Sequence, residues 1–188
     1  MAVDPEMVQA LEDSGAFLQG HFQLSSGRHS DRYIEKFNLL QWPAFTEMVC
    51  RKMAEWGRSF GPETVAGPTT GGILLAYEVG RQLGLRGIFA ERDAEGGRSF
   101  QRDFRLAPGE RVMVVDDISS TGEAVLDTIE AVRKAGGEPV CASVIVYRSG
   151  ERTEMDGVPF FATTELTMQT WGPEECPLCR DGVPLKVT

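Results

Sequence analysis

The 188-residue sequence is poor in positive charge and in long apolar runs. Its 19 Lys and Arg residues are outnumbered by 28 Asp and Glu residues, which gives a net charge of −9. A broad surface for nucleic acid or for a membrane is therefore not expected, because phosphate groups are held mainly by Lys and Arg. No apolar run approaches the roughly 18 residues of a membrane span, and the N-terminus lacks the basic-then-apolar order of a signal peptide. We expect a cytoplasmic protein.

Cysteine and histidine are also scarce. Four cysteines are too few for a disulfide scaffold in a chain of this length. Cys176 and Cys179 form a Cys-x-x-Cys pair, which is half of a zinc site, but His21 and His29 do not have metal-ligand spacing in the sequence. Two such pairs could meet in a dimer, or the two thiols could form a local disulfide. We predict no protein-bound metal and expect both histidines to be solvated.

The remaining composition is that of an ordinary globular domain. Hydrophobic residues make up 41% of the chain and charged residues 25%. The length suits one domain over residues 1–188 with a full core. Predicted strands alternate with predicted helices, which indicates an α/β fold with a central, mainly parallel sheet flanked by helices.

The first third of the chain predicts two helices and a hairpin. Asp4 as N-cap and Pro5 begin a helix that ends near Gly15. Strands are expected at 21–24 and 33–37 around the turn 25–27, and a second helix from 42 to 56. Further short strands are expected at 64–66, 88–91, 139–146 and 159–163, before an irregular tail.

The most informative stretch runs from Arg111 to Gly137. Residues 112–115 are a continuous apolar run, typical of a strand buried on both faces of a parallel sheet. Asp116 and Asp117 follow, then a hydroxyl-rich loop, then a helix. The loop and the helix N-terminus can hold a phosphate, and two carboxylates beside it can hold the hydroxyls of a ribose. This stretch indicates a ribose-phosphate site; the alternative is a plain turn with Ser and Thr as helix caps.

Three other places have residues suited to ligands. Residues 67–72 are glycine-rich and precede a helix that runs to about Gly84, so they form either a second anion site or a tight turn without a ligand. Arg148 ends the strand 139–146, where it can hold a planar carboxylate or simply face solvent. Residues 92–108 are long, polar and glycine-containing, which is typical of lids or disordered loops.

Two motifs resemble a known family. Residues 112–125, VMVVDDISSTGEAV, closely resemble the signature of the type I phosphoribosyltransferases, which bind 5-phosphoribosyl 1-diphosphate. Residues 20–30, GHFQLSSGRHS, closely resemble the N-terminal segment of orotate phosphoribosyltransferases. The resemblance spans nearly the whole chain, including the tail with the cysteine pair.

The resemblance implies a type I phosphoribosyltransferase fold, with a small hood built from about 15–40 and the C-terminal segment. It implies a mobile catalytic loop at about 92–108 that reaches the neighbouring site in a homodimer, and Mg²⁺ carried on the substrate. The implied reaction transfers the 5-phosphoribosyl group to N1 of orotate, giving orotidine 5-phosphate and diphosphate for pyrimidine biosynthesis.

The resemblance also implies roles for individual residues. Asp116, Asp117 and Arg92 are the expected catalytic residues. Orotate is expected to contact Ser26, Ser120 and Arg148. The expected contacts of 5-phosphoribosyl 1-diphosphate are Thr70, Gly71, Arg92, Asp116, Asp117, Ile118, Ser119, Ser120, Thr121, Gly122, Glu123 and Ala124.

The chain departs from that family in its cations. Ser25 and Gly71 stand where many members have a basic residue, and residues 92–108 contain neither Lys nor His. Arg92 is therefore the expected loop cation, with Arg98, Arg102 and Arg105 as the other arginines of the loop.

Two rival functions are a purine phosphoribosyltransferase and a phosphoribosyl-diphosphate sensor that binds nucleic acid. Arg148 weighs against the first, since purines offer no carboxylate, and the acidic composition weighs against the second.

Overall fold

The computed structural model describes residues 5–24, 26–166 and 168–188. Its helices are α1 (Pro5–Asp13), α2 (Lys36–Leu40), α3 (Pro43–Gly57), α4 (Gly71–Leu83), α5 (Glu123–Lys134) and α6 (Pro177–Arg180). Its strands are β1 (Phe17–Gln23), β2 (His29–Ile34), β3 (Thr64–Pro68), β4 (Arg86–Arg92), β5 (Arg98–Phe100), β6 (Arg111–Ser119), β7 (Glu138–Tyr147), β8 (Glu154–Met155), β9 (Val158–Glu165), β10 (Thr170–Trp171) and β11 (Lys186–Val187). The predicted N-cap Asp4 and the turn residue Ser25 lie outside the described residues.

A seven-stranded sheet in the order β5-β4-β3-β6-β7-β9-β8 forms the centre of the fold. Strands β4, β3, β6, β7 and β9 run parallel, and β5 and β8 pair antiparallel at the two edges. Successive residues of β6 point to opposite faces of the sheet. Met113 and Val115 pack with residues of α1, α3 and α4, whereas Val112 and Val114 pack with residues of α5. The predicted α/β fold is confirmed.

A second, four-stranded sheet in the order β10-β2-β1-β11 forms the hood. β1 and β2 make the predicted hairpin, with a register shift between Gln19 and Phe22. The C-terminal segment was predicted to be irregular, but it supplies both edges of this sheet: β10 pairs with β2, and β11 runs parallel to β1. The pairing satisfies backbone groups that a loose tail would leave to water.

The predicted strand at 33–37 is wrong in its second half. β2 ends at Ile34, and α2 begins at Lys36. Glu35 has an extended backbone, and its side chain accepts a hydrogen bond from the N–H of Phe37 at 3.1 Å, so it caps the helix. Apolar residues at this boundary fit both periodicities, and the cap decides in favour of the helix.

Residues 92–108 are more ordered than a plain loop. Residues 98–100 form β5, which pairs with the end of β4 in the register Arg92 with Arg98. The side chain of Arg98 is buried and donates to the Ala90 carbonyl and to Thr69 Oγ1, both at 3.2 Å. The start of the predicted mobile segment is therefore attached to the sheet.

Within the described part of the chain, no helix combines the length and hydropathy needed to cross a bilayer.

Candidate active site

Two buried carboxylates lie at the carboxyl end of β6. The strand continues through Asp116 and Asp117 to Ser119, so both acids belong to the sheet and not to the loop. Asp116 is 5% exposed and Asp117 is 2% exposed. Asp116 Oδ1 accepts from the N–H of Asp117 at 2.8 Å, and Asp117 Oδ1 accepts from the N–H of Ile118 at 2.6 Å. The backbone of the strand thus fixes both side chains.

Two buried carboxylates side by side favour the binding of a proton or a cation, because their negative charges repel each other. Burial, and after it the charge of Asp117, raises the pKa of Asp116 from 3.8 to about 7. Hydrogen bonding to the Asp117 N–H and the charges of Lys36 and Arg98 oppose this rise. Asp116 therefore changes charge near neutral pH, and a positive group nearby favours its ionised form.

Lys36 is a functional candidate that the sequence did not reveal. Its ammonium lies 3.0 Å from Asp117 Oδ2 and 3.1 Å from Oδ1. The residue is at the first turn of α2, where a strand was predicted, and it is separated from Asp117 by 81 positions. Only the placement of the hood hairpin beside β6 brings the two together.

A cleft next to the carboxylates has the features expected of a 5-phosphate site. It has a volume of about 370 Å³. Gly122 is the N-cap of α5. Its φ of 88° is one that residues with a side chain rarely adopt. Gly122 has no side chain to cap the helix, and the hydroxyl of Thr121 accepts a hydrogen bond from the N–H of Glu123 at 3.3 Å; the other N–H groups of the first turn suit an anion. The lining residues are Ser26, Arg92, Ile118, Ser119, Ser120, Thr121, Glu123 and Ala124.

A second cleft of about 220 Å³ adjoins the first, with which it shares Ser26 and Ser120. Arg148 lies on its wall, directly after β7, and its backbone N–H donates to the Ser119 carbonyl at 2.9 Å. Burial lowers the pKa of Arg148. Its Nε is buried without a hydrogen-bond partner among the described residues. The residues predicted to contact orotate, Ser26, Ser120 and Arg148, thus line one cleft. The Nε of Arg148 can still donate a hydrogen bond to a ligand.

The glycine-rich loop approaches the carboxylates from β3. Thr70 is the N-cap of α4, Gly71 is its first residue, and the Thr69–Thr70 peptide bond is cis. A Cβ on Gly71 would lie 2.0 Å from Asp117 Oδ2, so no side chain fits there. A lysine at this position would need a different arrangement of Asp117. In this chain the ammonium of Lys36 contacts the same oxygen, Asp117 Oδ2, at 3.0 Å.

The four loop arginines have different surroundings. Arg92 lines the cleft at the N-terminus of α5, whereas Arg98 is buried against Thr69. Arg102 pairs with Glu91 and Arg105 with Asp103. The structure therefore brings the predicted loop cation, Arg92, to the cleft.

The expectation that both histidines are solvated is wrong. His21 is 2% exposed and His29 is 4% exposed. Both lie beside Cys176 and Cys179, which are free thiols, so a local disulfide is not formed. Sequence spacing could not reveal this group, because its members come from β1, β2 and the C-terminal segment.

Comparison with known proteins gives the same result as the fold and the site. A family model described as phosphoribosyl transferase domain matches residues 37–177. The chain is therefore a phosphoribosyltransferase by family and by fold.

Individual relatives narrow this class. The orotate phosphoribosyltransferase of Pelotomaculum thermopropionicum is 44% identical over 95% of this chain and 93% of that protein. The enzyme of the same name from Heliobacterium modesticaldum is 44% identical over 95% of this chain and 94% of that protein. The crystal structure of orotate phosphoribosyltransferase from Aeropyrum pernix aligns with a TM-score of 0.74 at 28% identity, over 85% of this chain and 93% of that one. The chain belongs to the orotate phosphoribosyltransferase family.

The raised pKa of Asp116 predicts an unusual pH dependence of stability. In the folded protein the protonated carboxyl is favoured, so its stabilising contribution is fully present below the unfolded value of 3.8 and is lost as pH rises through about 7. Asp116→Asn removes this dependence. As pH rises from about 4 to about 7, we expect the free energy of unfolding of the variant to increase relative to that of wild type. The gain is about 1.4 kcal/mol for every tenfold difference in proton affinity between the folded and unfolded carboxyl.

Urea denaturation at several pH values measures the difference. Asp103→Asn, which removes an exposed carboxylate, is the control for the loss of one charge. Parallel pH profiles for wild type and Asp116→Asn would contradict the raised pKa.

Proposed function

We propose that this enzyme transfers the 5-phosphoribosyl group of 5-phosphoribosyl 1-diphosphate to orotate, giving orotidine 5-phosphate and diphosphate in pyrimidine biosynthesis. The observation that carries the proposal is the arrangement of Arg148 and the Asp116–Asp117 pair. Arg148 follows β7, and the two acids lie near the carboxyl end of the neighbouring strand β6; Arg148 and Asp117 both line a third cleft, of about 250 Å³.

The donor half of the site has one group for each part of 5-phosphoribosyl 1-diphosphate. The 5-phosphate lies in the cleft at the N-terminus of α5, held by the hydroxyls and N–H groups of 119–124. Asp116 and Asp117 accept hydrogen bonds from the ribose hydroxyls. The diphosphate lies against Thr70 and Gly71, where the absence of a side chain lets the backbone approach it.

The acceptor half is the cleft of about 220 Å³ with Arg148 on its wall. The guanidinium of Arg148 holds the carboxylate of orotate, and its lowered pKa reflects a partly dry setting in which a carboxylate is a favourable partner. Ser26 and Ser120 lie at the junction with the phosphate cleft, so they can contact both substrates. A purine has no carboxylate to place against Arg148.

In the reaction, the bond between the anomeric carbon and the diphosphate oxygen breaks, and its electron pair leaves with the diphosphate. N1 of orotate bonds to the same carbon, and its proton is released to solvent. Positive charge develops on the ribose, and the two carboxylates stabilise it. Lys36 holds Asp117 in place and reduces its repulsion of the anionic substrate. Arg92 places a cation on the phosphate cleft.

The carboxylates also suit a divalent cation carried by the substrate. Carboxylate oxygens are ligands of Mg²⁺, and the raised pKa of Asp116 marks a place where added positive charge is favourable. The charge of the diphosphate is neutralised in part by Mg²⁺ when the ion is bound. Asp116 and Asp117 are the residues that would face it.

The proposal includes a homodimer in the cytoplasm. Four large apolar side chains are exposed on α2, on α4 and at the start of α3, and these helices contact one another. An apolar patch of this kind marks an interaction surface. The residues are Phe37, Trp42, Leu74 and Tyr77, of which Tyr77 is 70% exposed. The four cysteines are free thiols, which are usual in a reducing compartment.

Arg148→Ala tests the acceptor. We expect kcat/KM for orotate to fall by about 100-fold or more, because the carboxylate loses its buried cationic partner. The loss of orotate absorbance with 5-phosphoribosyl 1-diphosphate and Mg²⁺ gives the rate. Arg58→Ala removes an exposed arginine at the C-terminal end of α3, outside the clefts, and is the matched control.

Hypoxanthine, adenine and uracil are assayed as parallel acceptors. Turnover of a purine in preference to orotate would replace the proposed function by the purine rival. Unchanged orotate kinetics in Arg148→Ala would remove the carboxylate contact from the proposal.

Lys36→Met tests the newly found cation. Without the ammonium, the buried carboxylate of Asp117 loses its ion pair, and it repels the diphosphate. We expect kcat/KM to fall by about 100-fold or more. Lys134→Met, at the opposite end of α5 and mostly exposed, should retain wild-type kinetics. A Lys36→Met enzyme within about twofold of wild type would rule out this role.

Tyr77→Glu tests the proposed dimer surface. Sedimentation of wild type should give twice the chain mass of 20.7 kDa. A charge in the apolar patch should shift the variant toward the monomer, because burying an unpaired carboxylate is costly. Val187→Glu, an exposed change in the hood, is the control and should leave the mass unchanged. A monomeric wild type would contradict the homodimer.

A further inference from the structure

A group of four metal-ligating side chains lies in the hood, apart from the residues assigned to the two substrates. His21 comes from β1, His29 from the start of β2, and Cys176 and Cys179 from the C-terminal segment. One ligand atom of each lies within 4.8 Å of those of the other three. His21, His29 and Cys176 are buried, and Cys179 is exposed. The first three side chains are therefore shielded from solvent, and the group reaches the surface at Cys179.

The distances within the group match a tetrahedral zinc site. His21 Nε2 lies 3.1 Å from His29 Nδ1 and 3.4 Å from Cys176 Sγ. Cys179 Sγ lies 3.3 Å from His29 Nδ1 and 3.7 Å from His21 Nε2. With zinc bonds of about 2.0 Å to nitrogen and about 2.3 Å to sulfur, tetrahedral geometry puts two nitrogens about 3.3 Å apart and nitrogen and sulfur about 3.6 Å apart.

Hydrogen bonding alone does not account for this arrangement. His21 Nε2 has three neighbours at these distances, but an imidazole nitrogen offers either one lone pair or one N–H. The other nitrogen, Nδ1, lies 2.8 Å from the Val183 carbonyl, which can only accept. Nδ1 therefore carries the proton, and the lone pair of Nε2 points at the centre of the group. A carbonyl in this position is the usual outer partner of a metal-bound histidine.

We propose that His21, His29, Cys176 and Cys179 bind one zinc ion. Two imidazoles and two thiolates form a closed four-ligand set of the structural type, without an open position for chemistry. Thiolate and imidazole ligands together select zinc over Mg²⁺ or Ca²⁺, which take oxygen ligands. Two thiolates also balance the charge of the ion, so the site as a whole is neutral.

The chain is folded locally to present these ligands. The register shift between Gln19 and Phe22 leaves His21 in a bulge of β1, which re-aims its side chain, and the next residues pair normally, Gln23 with His29. Pro177 opens the short helix α6, so that Cys176 and Cys179 lie one turn apart on the same side. The two halves of the site thus come from a hairpin and a helical turn.

The ion would join the C-terminal segment to the hood hairpin. The strands of that segment, β10 and β11, are only two residues each, and few backbone hydrogen bonds hold them to β2 and β1. An ion held by residues of both parts would add a further link to these pairings. Met168 and Thr170 of the same segment line the cleft of Arg148, so the ion would also fix one wall of that cleft.

The metal content of the full-length protein tests the proposal directly. Protein expressed with added zinc and desalted should contain about one zinc per chain, measured by mass spectrometry of the metal. Cys179→Ser, a change at an exposed position, should lower the zinc affinity by at least about 100-fold in competition with a chromophoric chelator. Cys50→Ala removes a buried thiol from α3 and should keep the full zinc content.

Two further measurements separate a bound ion from a general loss of folding. Cobalt added to the metal-free protein should give the visible bands of a tetrahedral ion and a thiolate charge-transfer band, both absent in Cys179→Ser. Removal of zinc should expose residues 172–188 to proteolysis while residues 43–147 stay resistant.

Wild type that holds less than about a tenth of an equivalent after incubation with zinc would overturn the proposal. So would full zinc content in Cys179→Ser or in His29→Ala. This proposal does not depend on which acceptor the enzyme uses.

Discussion

The site depends on the burial of two carboxylates at the end of one parallel strand. Burying such a pair is unfavourable unless partners compensate for the lost water. Here the partners come from three segments: the N–H groups of Asp117 and Ile118 in β6, the ammonium of Lys36 in α2, and the space left by Gly71 in α4. Because Asp117 needs both the ammonium of Lys36 and the space beside Gly71, the hood and the glycine-rich loop must pack at the same point of the sheet.

The parallel sheet explains why the residues proposed to bind the two substrates lie close together. The carboxyl ends of β3, β6 and β7 lie side by side, so the loops after them share one edge. Thr70, Ser120 and Arg148 come from those three loops. The hood closes this edge, because its hairpin brings Ser26 to both clefts and Lys36 to the carboxylates. The proposed zinc ion belongs to the same unit, since it would hold the last strand of the chain against the first.

Local patterns predicted much of this arrangement. The apolar run of β6, the hydroxyl loop and the start of α5 follow one another in the chain, so a single stretch was enough to predict the phosphate site that is proposed. Helices α3 and α4 were also predicted, the latter with its end at Gly84, where the φ of 74° suits glycine. The errors lie where two local patterns compete: residues 33–37 fit a strand until the cap at Glu35 is known, and the two-residue strands of the tail have no periodicity to detect.

By itself the sequence determined the alternation of strands and helices, the carboxylate-and-hydroxyl loop and the position of Arg148 after a buried strand. These features depend on neighbouring residues and on the period of the backbone. Only the tertiary structure decided that Lys36 reaches Asp117 and that His21 and His29 meet Cys176 and Cys179. Lys36 and Asp117 are separated by 81 positions, His21 and Cys176 by 155, and His29 and Cys179 by 150. Sheet pairing and packing bring them together, and no local periodicity records which distant residues will touch.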